Sequence, residues 1–555
     1  MLRKKWHYLV IVCWFLAGCG LNRLEVNSNP LSASNDAEII IQTPTVQRSE
    51  ATRPYTLWVD PAVPEQVRQL IESQNLVEYT SNSDEADGWL TQVDAETGKA
   101  LFSQVYVLAA AFPTLEDGMT LDRVESIWTG SAESPPNVLV LEPETIDVFA
   151  GIWGAPQSDQ LHRVDANDLI TTVWQTTGAV TILPFDALDP RLKVLAIDGF
   201  NPLEKGLEVD SYPLTIQYGL QKNPNGDQSR FEGLLSIFQE DVKVINRDEN
   251  RLTSVLLTGT TALSRNTAFV MEEKGILYPA RDIGDWLRTA EITHISNEVP
   301  MFAGCPPAKP LRVEARFCSD PAYLGLFDDT GVDVIELTGN HLLDWGAEAF
   351  LDTLDLYDQN GYAYYGGGRT PEDGSRALLI EEHGNKIAFL GCNAVGPEQV
   401  WATNSQPGPV KCDLDRMESQ VRTLKQDGYV VIVTFQHFEL DEYRPQSSQR
   451  IDFQRMARAG VDIVSGSQAH SPQTMTFIGK HFIHYGLGNL FFDQMFAGYD
   501  REFLDEHFIY DGKFISTQLR TALLEDYARP RPMNADERRQ LLEAVFSAAE
   551  WNIEE

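Results

Sequence analysis

Val334-Ile-Glu-Leu-Thr-Gly-Asn-His-Leu-Leu-Asp-Trp-Gly346 changes its hydrophobic period in mid-stretch. The β-branched Val334 and Ile335 open an apolar run, Gly339-Asn340-His341 interrupts it, and Ala347 to Tyr357 continues with apolar residues at helical spacing. The pattern predicts a strand, a sharp turn and a helix. Such a turn presents an Asn carboxamide and an imidazole at the carboxyl end of a strand, where open α/β sheets place their ligands. Oxygen and nitrogen donors of this kind can share a divalent metal and a bound phosphate-like group. A lone Gly-Asn-His is more often turn chemistry, so the neighbouring strands decide.

Working outward, the same design recurs. Leu252 to Thr258 is an apolar strand ending at Gly259, followed by Thr260 and Arg265. Asp282 to Ala290 has helical spacing, and Ile292-Thr-His-Ile-Ser-Asn-Glu298 is a strand carrying polar residues at its end. A glycine turn, Tyr365-Gly-Gly-Gly-Arg369, precedes the strand Ile387 to Leu390. Val430 to His437 and Val461 to His470 are strands with a histidine at or just past the end, and Ile483 to Asp493, which includes Asn489, closes the series. Four polar clusters thus follow four apolar strands: Asn297 with Glu298, Asn340 with His341, His437, and Gln468 with His470. Four clusters at one edge of a sheet predict a site. Either His437 or His470 alone would read as a hydrogen-bonded structural histidine. His294, His481 and His484 end no strand in this way and are expected to be structural.

From Tyr55 to about Arg247, strands alternate with amphipathic helices. Tyr55 to Val59, Val105 to Phe112, Val138 to Leu141 and Val180 to Leu183 read as strands, and Pro64 to Ser73 and Thr120 to Ile127 as helices. This alternation predicts an α/β domain with a mostly parallel sheet. Beyond Asp493, Phe508 to Leu524 reads as one or two strands and Arg529-Pro-Arg-Pro532 as a rigid connector. Ala535 to Trp551 reads as a helix capped by Asn534 with Glu537 three residues on. This tail is expected to pack on the second domain.

Composition limits the functions available. The net charge of −37 over 555 residues is spread along the chain, which argues against nucleic acid and against any polyanion held by charge alone. An anionic substrate would need a metal or a local basic spot. The six cysteines are too few to be the scaffold. Cys305, Cys318, Cys392 and Cys412 permit three pairings. The nearest-neighbour pairing would staple two loops, and free buried thiols are the alternative.

Three resemblances complete the reading. Met1 to Cys19, with a basic start, a short apolar run and Leu16-Ala-Gly-Cys19, resembles a bacterial lipoprotein signal peptide. That implies a signal over 1–18, a lipidated Cys19 and a Ser-, Asn-, Thr- and Pro-rich linker over 19–53. The protein would then be extracytoplasmic and lipid-anchored to the bacterial cell membrane. Leu121 to Gly130, Leu195 to Pro202 and Tyr212-Pro-Leu214 resemble phosphate-type periplasmic substrate-binding proteins, implying a two-lobed domain over 54–247. Where that family has a Gly- and Ser-rich anion loop, this chain has Asp60-Pro-Ala-Val-Pro64, so the fold carries over better than phosphate binding.

Residues 252–500 resemble capsule synthesis proteins of the poly-γ-glutamate type (CapA or PgsA-like), whose domain is related to calcineurin-like metallophosphatases. The run at 339–346, the turn at 365–369, Gly466 to His470 and Gly486 to Asp493 carry the resemblance. It implies an α/β sandwich, followed by a C-terminal extension over 501–555. It further implies one divalent ion of the Mn, Zn or Mg class, held by Glu298, Asn340, His341, His437 and His470. Arg265 would neutralise substrate, and His341 and His437 would join in catalysis. Asn297, Thr260, Gln468 and Asn489 would line the pocket. Two departures stand out: Thr260 replaces an expected aspartate ligand and Gln468 an expected histidine, which weakens a two-metal reading. The implied substrate is an anionic polymer or a phosphorylated or acyl compound, with other capsule-synthesis membrane proteins as candidate partners. The alternative is a catalytically degenerate surface binding or assembly factor.

Overall fold

The computed structural model describes residues 53–553, apart from 66, 69–76, 95–98, 132–136, 239–245, 310–315 and 497. The expected signal, Cys19 and nearly all of the linker lie outside the described residues, as does most of the helix expected from Pro64 to Ser73. Pro54–Glu555 form one compact α/β unit built on two strand systems. Among the described residues, no helix is long and apolar enough to cross a membrane.

The first system is a ten-stranded sheet spanning Tyr55 to Lys222. Its long strand, Lys99–Ala111, runs antiparallel to Thr215–Lys222, Ala179–Pro184 and Leu192–Ile197. Tyr55–Val59 and Val138–Leu141 pair in parallel with their neighbours. The sheet is therefore mixed rather than mostly parallel. The reason is physical: Val105 to Ala110 are buried on both faces, and burial on both faces erases the alternation that marks an antiparallel strand.

The second system is a sandwich. One sheet contains Leu252–Thr258, Ile292–Asn297, Val332–Glu336 and Ala363–Tyr365 in parallel, extended by the antiparallel strands Arg501–Tyr510 and Lys513–Glu525. The other contains Asn385–Asn393, Val430–Gln436, Ile463–Ser467 and His481–His484 in parallel. Val255, Leu257, Ile292 and Val334 from the first face Ile387, Phe389, Ile432 and Ile463 from the second in one core. Each such side chain contributes about 1.5–3 kcal/mol by leaving water. Helices cover the outer faces: Phe350, Leu354 and Tyr357 of Gly346–Asn360 pack on one sheet, and Val421, Phe453 and Met456 on the other.

Arg529–Pro532 forms an edge strand against Ala522–Glu525 instead of a bare connector. An edge position tolerates proline because the missing N–H would face outward, and Arg529 and Arg531 pair with Glu525. The closing helix, Ala535–Ala548, has the expected cap: the Asn534 side chain accepts from the Asp536 and Glu537 amides, and Glu537 returns to the Asn534 amide. The tail reaches both strand systems. Phe112 lies 5.3 Å from Phe477 and from Phe482 and 6.1 Å from Trp551. Cys305–Cys318 and Cys392–Cys412 are disulfide-bonded.

Candidate functional site

Parallel pairing brings the carboxyl ends of Leu252–Thr258, Ile292–Asn297 and Val332–Glu336 to one edge. The ends of Val430–Gln436 and Ile463–Ser467 meet that edge from the facing sheet, where Gln468 N–H donates to Thr260 Oγ1 at 3.1 Å and Ser467 Oγ to Glu336 Oε1 at 3.3 Å. Two glycines permit this approach. A Cβ on Gly259 would lie 2.2 Å from the Gly488 carbonyl oxygen, and one on Gly339 would lie 2.6 Å from Glu298 Cα. Neither backbone can yield to a side chain.

Glu298 is 2% exposed, and neither carboxylate oxygen has a hydrogen-bond partner among the described residues. Asn340 Oδ1 is also buried and unpaired. A bare carboxylate removed from water costs several kcal/mol unless something positive faces it. His341, when protonated, supplies part of that charge. Burial works against its protonation, but the Asp344 hydrogen bond and the charges of Glu298 and Asp344 prevail and hold its pKa above the ordinary value. Asp344 Oδ2 accepts from His341 Nδ1 at 2.8 Å and from the Phe317 amide at 2.7 Å, and the Phe317 ring lies 4.4 Å from the imidazole.

The other two imidazoles share one feature. His437 Nε2 lies 3.2 Å from Asp452, leaving Nδ1 buried and unpaired, and burial pushes its pKa down against the pull of Asp452. His470 Nδ1 lies 2.7 Å from Asn489 Oδ1, and its Nε2 is 3.9 Å from Glu439. Each ring is oriented through one nitrogen by a polar partner, the way metal-binding or proton-transferring histidines are held. Asn297 donates through Nδ2 to the Val299 carbonyl and the Tyr357 hydroxyl, and its Oδ1 is buried and unpaired.

Arg265 lies near enough to His341 for its charge to oppose protonation there, and it already has a carboxylate partner. Its guanidinium pairs with Asp493 through Nε and Nη2 and lies 4.9 Å over both Phe317 and Phe492, so its charge is already matched. It still borders a small pocket of about 50 Å³ shared with Lys309, Arg316 and Trp345. His294, expected to be structural, is buried in the core beside Tyr365, 3.0 Å away. Asp344, Asp452, Gln436 and Asp493 were not singled out from sequence. Asp344 was findable, three residues after His341 in the same turn. Asp452 lies on the helix Ser447–Arg458, and nothing in its spacing marks it.

The donor set fits one hard cation in part and does not fit two. Glu298 and Asn340 offer unpaired buried oxygens suited to a divalent ion. At the two departed positions, Thr260 Oγ1 accepts from Gln468 N–H and Gln468 Oε1 accepts from Gln436 Nε2. Among the described residues, no three His, Cys, Asp or Glu side chains gather closely enough to hold an ion by themselves.

Residues 254–494 match the family model of the bacterial capsule synthesis protein PGA_cap. The chain is 23% identical over 260 residues to the capsule biosynthesis protein CapA of Bacillus anthracis, covering 46% of this chain and 63% of that relative. It is 26% identical over 167 residues to the PGA biosynthesis protein CapA of Bacillus subtilis, covering 30% of this chain and 44% of that relative. The matches thus span less than two thirds of either relative. Among solved structures, a 5'-nucleotidase precursor from Thermus thermophilus aligns at 12% identity and a TM-score of 0.29, over 54% of this chain and 59% of that chain.

Proposed function

We propose, on the premise that residues 254–494 form a CapA-like domain of the capsule synthesis family, that the chain is a membrane-tethered accessory factor for an anionic capsule polymer such as poly-γ-glutamate. In this reading it acts in synthesis, export or anchoring of that polymer, as a metal-dependent hydrolase or transferase. The observation that carries the reading is Glu298: a buried carboxylate with two unpaired oxygens, packed against the Gly339-Asn340-His341 turn.

Glu298 and Asn340, whose buried oxygens are unpaired, would hold a single divalent ion, with its remaining positions open to water and substrate. Bound there, such an ion polarises a phosphoryl or acyl oxygen or lowers the pKa of a water. His341, whose pKa Asp344 and Glu298 raise against burial, would in its protonated form present its Nε2 proton to a leaving oxygen or nitrogen. Asp344 fixes the ring so that the donated proton comes from that nitrogen. Phe317 shields one side of the imidazole from water and strengthens its interaction with Glu298. The test is metal content, phosphoesterase activity and γ-glutamyl amide hydrolysis of the purified protein against an Asn340→Ala, His341→Ala variant. Metal and activity present only in the wild type support the reading; no metal and equal activity overturn it.

A second reading is favoured by the chain of hydrogen bonds through Thr260, Gln468 and Gln436, which fills two ligand positions with neutral groups. In that reading the protein binds or assembles the polymer without turnover. Thr260→Asp with Gln468→His separates the two: raised metal affinity with turnover marks a dormant enzyme site, and raised affinity without turnover marks a binding factor.

A further inference from the structure

A cavity of about 320 Å³ lies where the first strand system meets the tail. Phe112, Val194, Leu519 and Phe546 give it apolar walls, and Lys193, Arg520 and Arg538 stand in the same lining with Asp117 and Glu204. Cavities of this size at domain junctions suit small ligands, and in a chain of net charge −37 the three cations of this lining outnumber its two carboxylates.

Their pairing is incomplete. The Lys193 ammonium, with three donors, has two acceptors: the Thr114 carbonyl at 2.8 Å and Asp117 Oδ1 at 2.7 Å. Arg538 takes both oxygens of that same Asp117, at 2.8 and 2.9 Å, and the Leu519 carbonyl. One carboxylate therefore serves two cations. Arg520 spends Nε and Nη2 on a single oxygen of Glu506 and lies 5.4 Å over Trp286, which leaves Nη1 without an acceptor among the described residues. Burial also pushes the Lys193 pKa down, against the pull of Asp117 and Glu116. An added acceptor would complete these cations, and an apolar body would fill the remaining space beside Leu519 and Phe546.

We propose that this junction cavity is a binding site for a small amphiphilic anion, an apolar body bearing one carboxylate or phosphate-monoester head. The head sits between Lys193 and Arg520, and the body lies along Phe112, Leu519 and Phe546. The site is separate from the strand-end cluster and uses none of its residues.

Isothermal titration of the purified protein with 4-phenylbutyrate, 4-phenylbutanol and 4-phenylbutylamine tests this. The carboxylate is expected to bind one to one, the alcohol at least tenfold more weakly, and the amine not at all. Lys193→Met, which leaves Asp117 paired with Arg538, should weaken the carboxylate at least tenfold, and Gln518→Trp, which fills the cavity from the strand Lys513–Glu525, should abolish it. Saturation-transfer contacts from the probe ring to the Val194 and Leu519 methyls locate the site in the wild type, with no dependence on a variant folding. Equal affinity for acid and alcohol, no saturable binding of the acid, contacts to other methyls, or unchanged affinity in a folded Gln518→Trp protein would each overturn the proposal.

Discussion

Asp344 holds His341 through one oxygen: Oδ2 lies 2.8 Å from the imidazole Nδ1 and also accepts the Phe317 amide at 2.7 Å. The carboxylate orients the ring, and its charge helps raise the His341 pKa above the ordinary histidine value despite burial. Asp344→Asn keeps the shape and removes the charge. A charge-assisted hydrogen bond is worth about 1.5–3 kcal/mol, so the His341 pKa in the chelator-treated variant should fall by roughly one unit or more. Titration of the imidazole resonances by NMR checks this, and an unmoved pKa would assign the shift to Glu298 alone.

The same Phe317 follows Arg316, whose Nε donates to the Asp344 carbonyl, and precedes Cys318, bonded to Cys305. The disulfide closes a loop of 13 residues and so pins one wall of the site. Closing a loop of that length is worth about 3 kcal/mol in the chain-entropy account. Cys305→Ser with Cys318→Ser should lower stability by about that amount in denaturant melts and broaden the His341 resonance. Cys392→Ser with Cys412→Ser, in the other sheet, should lower stability and leave His341 sharp.

Gly339 faces the Glu298 backbone so closely that a Cβ would sit 2.6 Å from its Cα. Gly339→Ala must therefore push the turn away from Glu298. Overpacking of this kind typically costs about 1–3 kcal/mol, and here the displacement falls between Glu298 and His341. The expected result is a lowered thermal midpoint together with loss of the electrostatic rise in the His341 pKa; a variant of wild-type stability would show that the two segments are not in register.

The strand ends that carry Glu298, Asn340, His437 and Gln468 were legible because each follows a long apolar run, and a buried parallel strand must end where polarity begins. The disulfide partners were legible only as one of three pairings, since nothing in the spacing separates a stapled loop from buried thiols. The antiparallel course of Lys99–Ala111 was hidden because burial on both faces removes alternation. Arg265 shows the limit most plainly. The resemblance implied that it would neutralise substrate, yet Asp493, 228 residues away, pairs with it, and a contact across that separation leaves no local trace. Asp452 behind His437 is the same case at shorter range.

His294 sits in the inter-sheet core, 3.0 Å from the Tyr365 hydroxyl, and burial pushes its pKa down to about 3. Its folded pKa lies below the unfolded value, so the unfolded chain binds the extra proton between the two. Stability is then complete above about pH 6.5 and is lost as pH falls toward 3, at up to about 1.4 kcal/mol per unit. His294→Phe should flatten that slope in urea melts between about pH 6.5 and 4, with Tyr365 still paired to Thr434 at 2.9 Å. A slope identical to the wild type would place the acid sensitivity elsewhere, with His507, pushed down to about 4, as the next group to vary.

Glu502 gives the opposite sign. It is fully buried in Arg501–Tyr510, neither oxygen has a partner among the described residues, and burial together with the charge of Asp500 raises its pKa well above the ordinary carboxylate value. The folded protein keeps a proton that the unfolded chain releases above about pH 4.5, so this group costs stability increasingly as pH rises through neutrality. Its strand neighbour on the same face, Leu504, packs in the apolar core over that sheet, so an apolar side chain suits the site better than a carboxyl group does. Glu502→Leu removes an unsatisfied buried group worth about 1–3 kcal/mol and should raise stability at pH 8 by about that amount, with the advantage shrinking toward pH 4.5. Denaturant melts of the wild type and variant across this range read the difference directly. A gain that does not depend on pH would show that the carboxyl group is neutral throughout and that the benefit comes from packing.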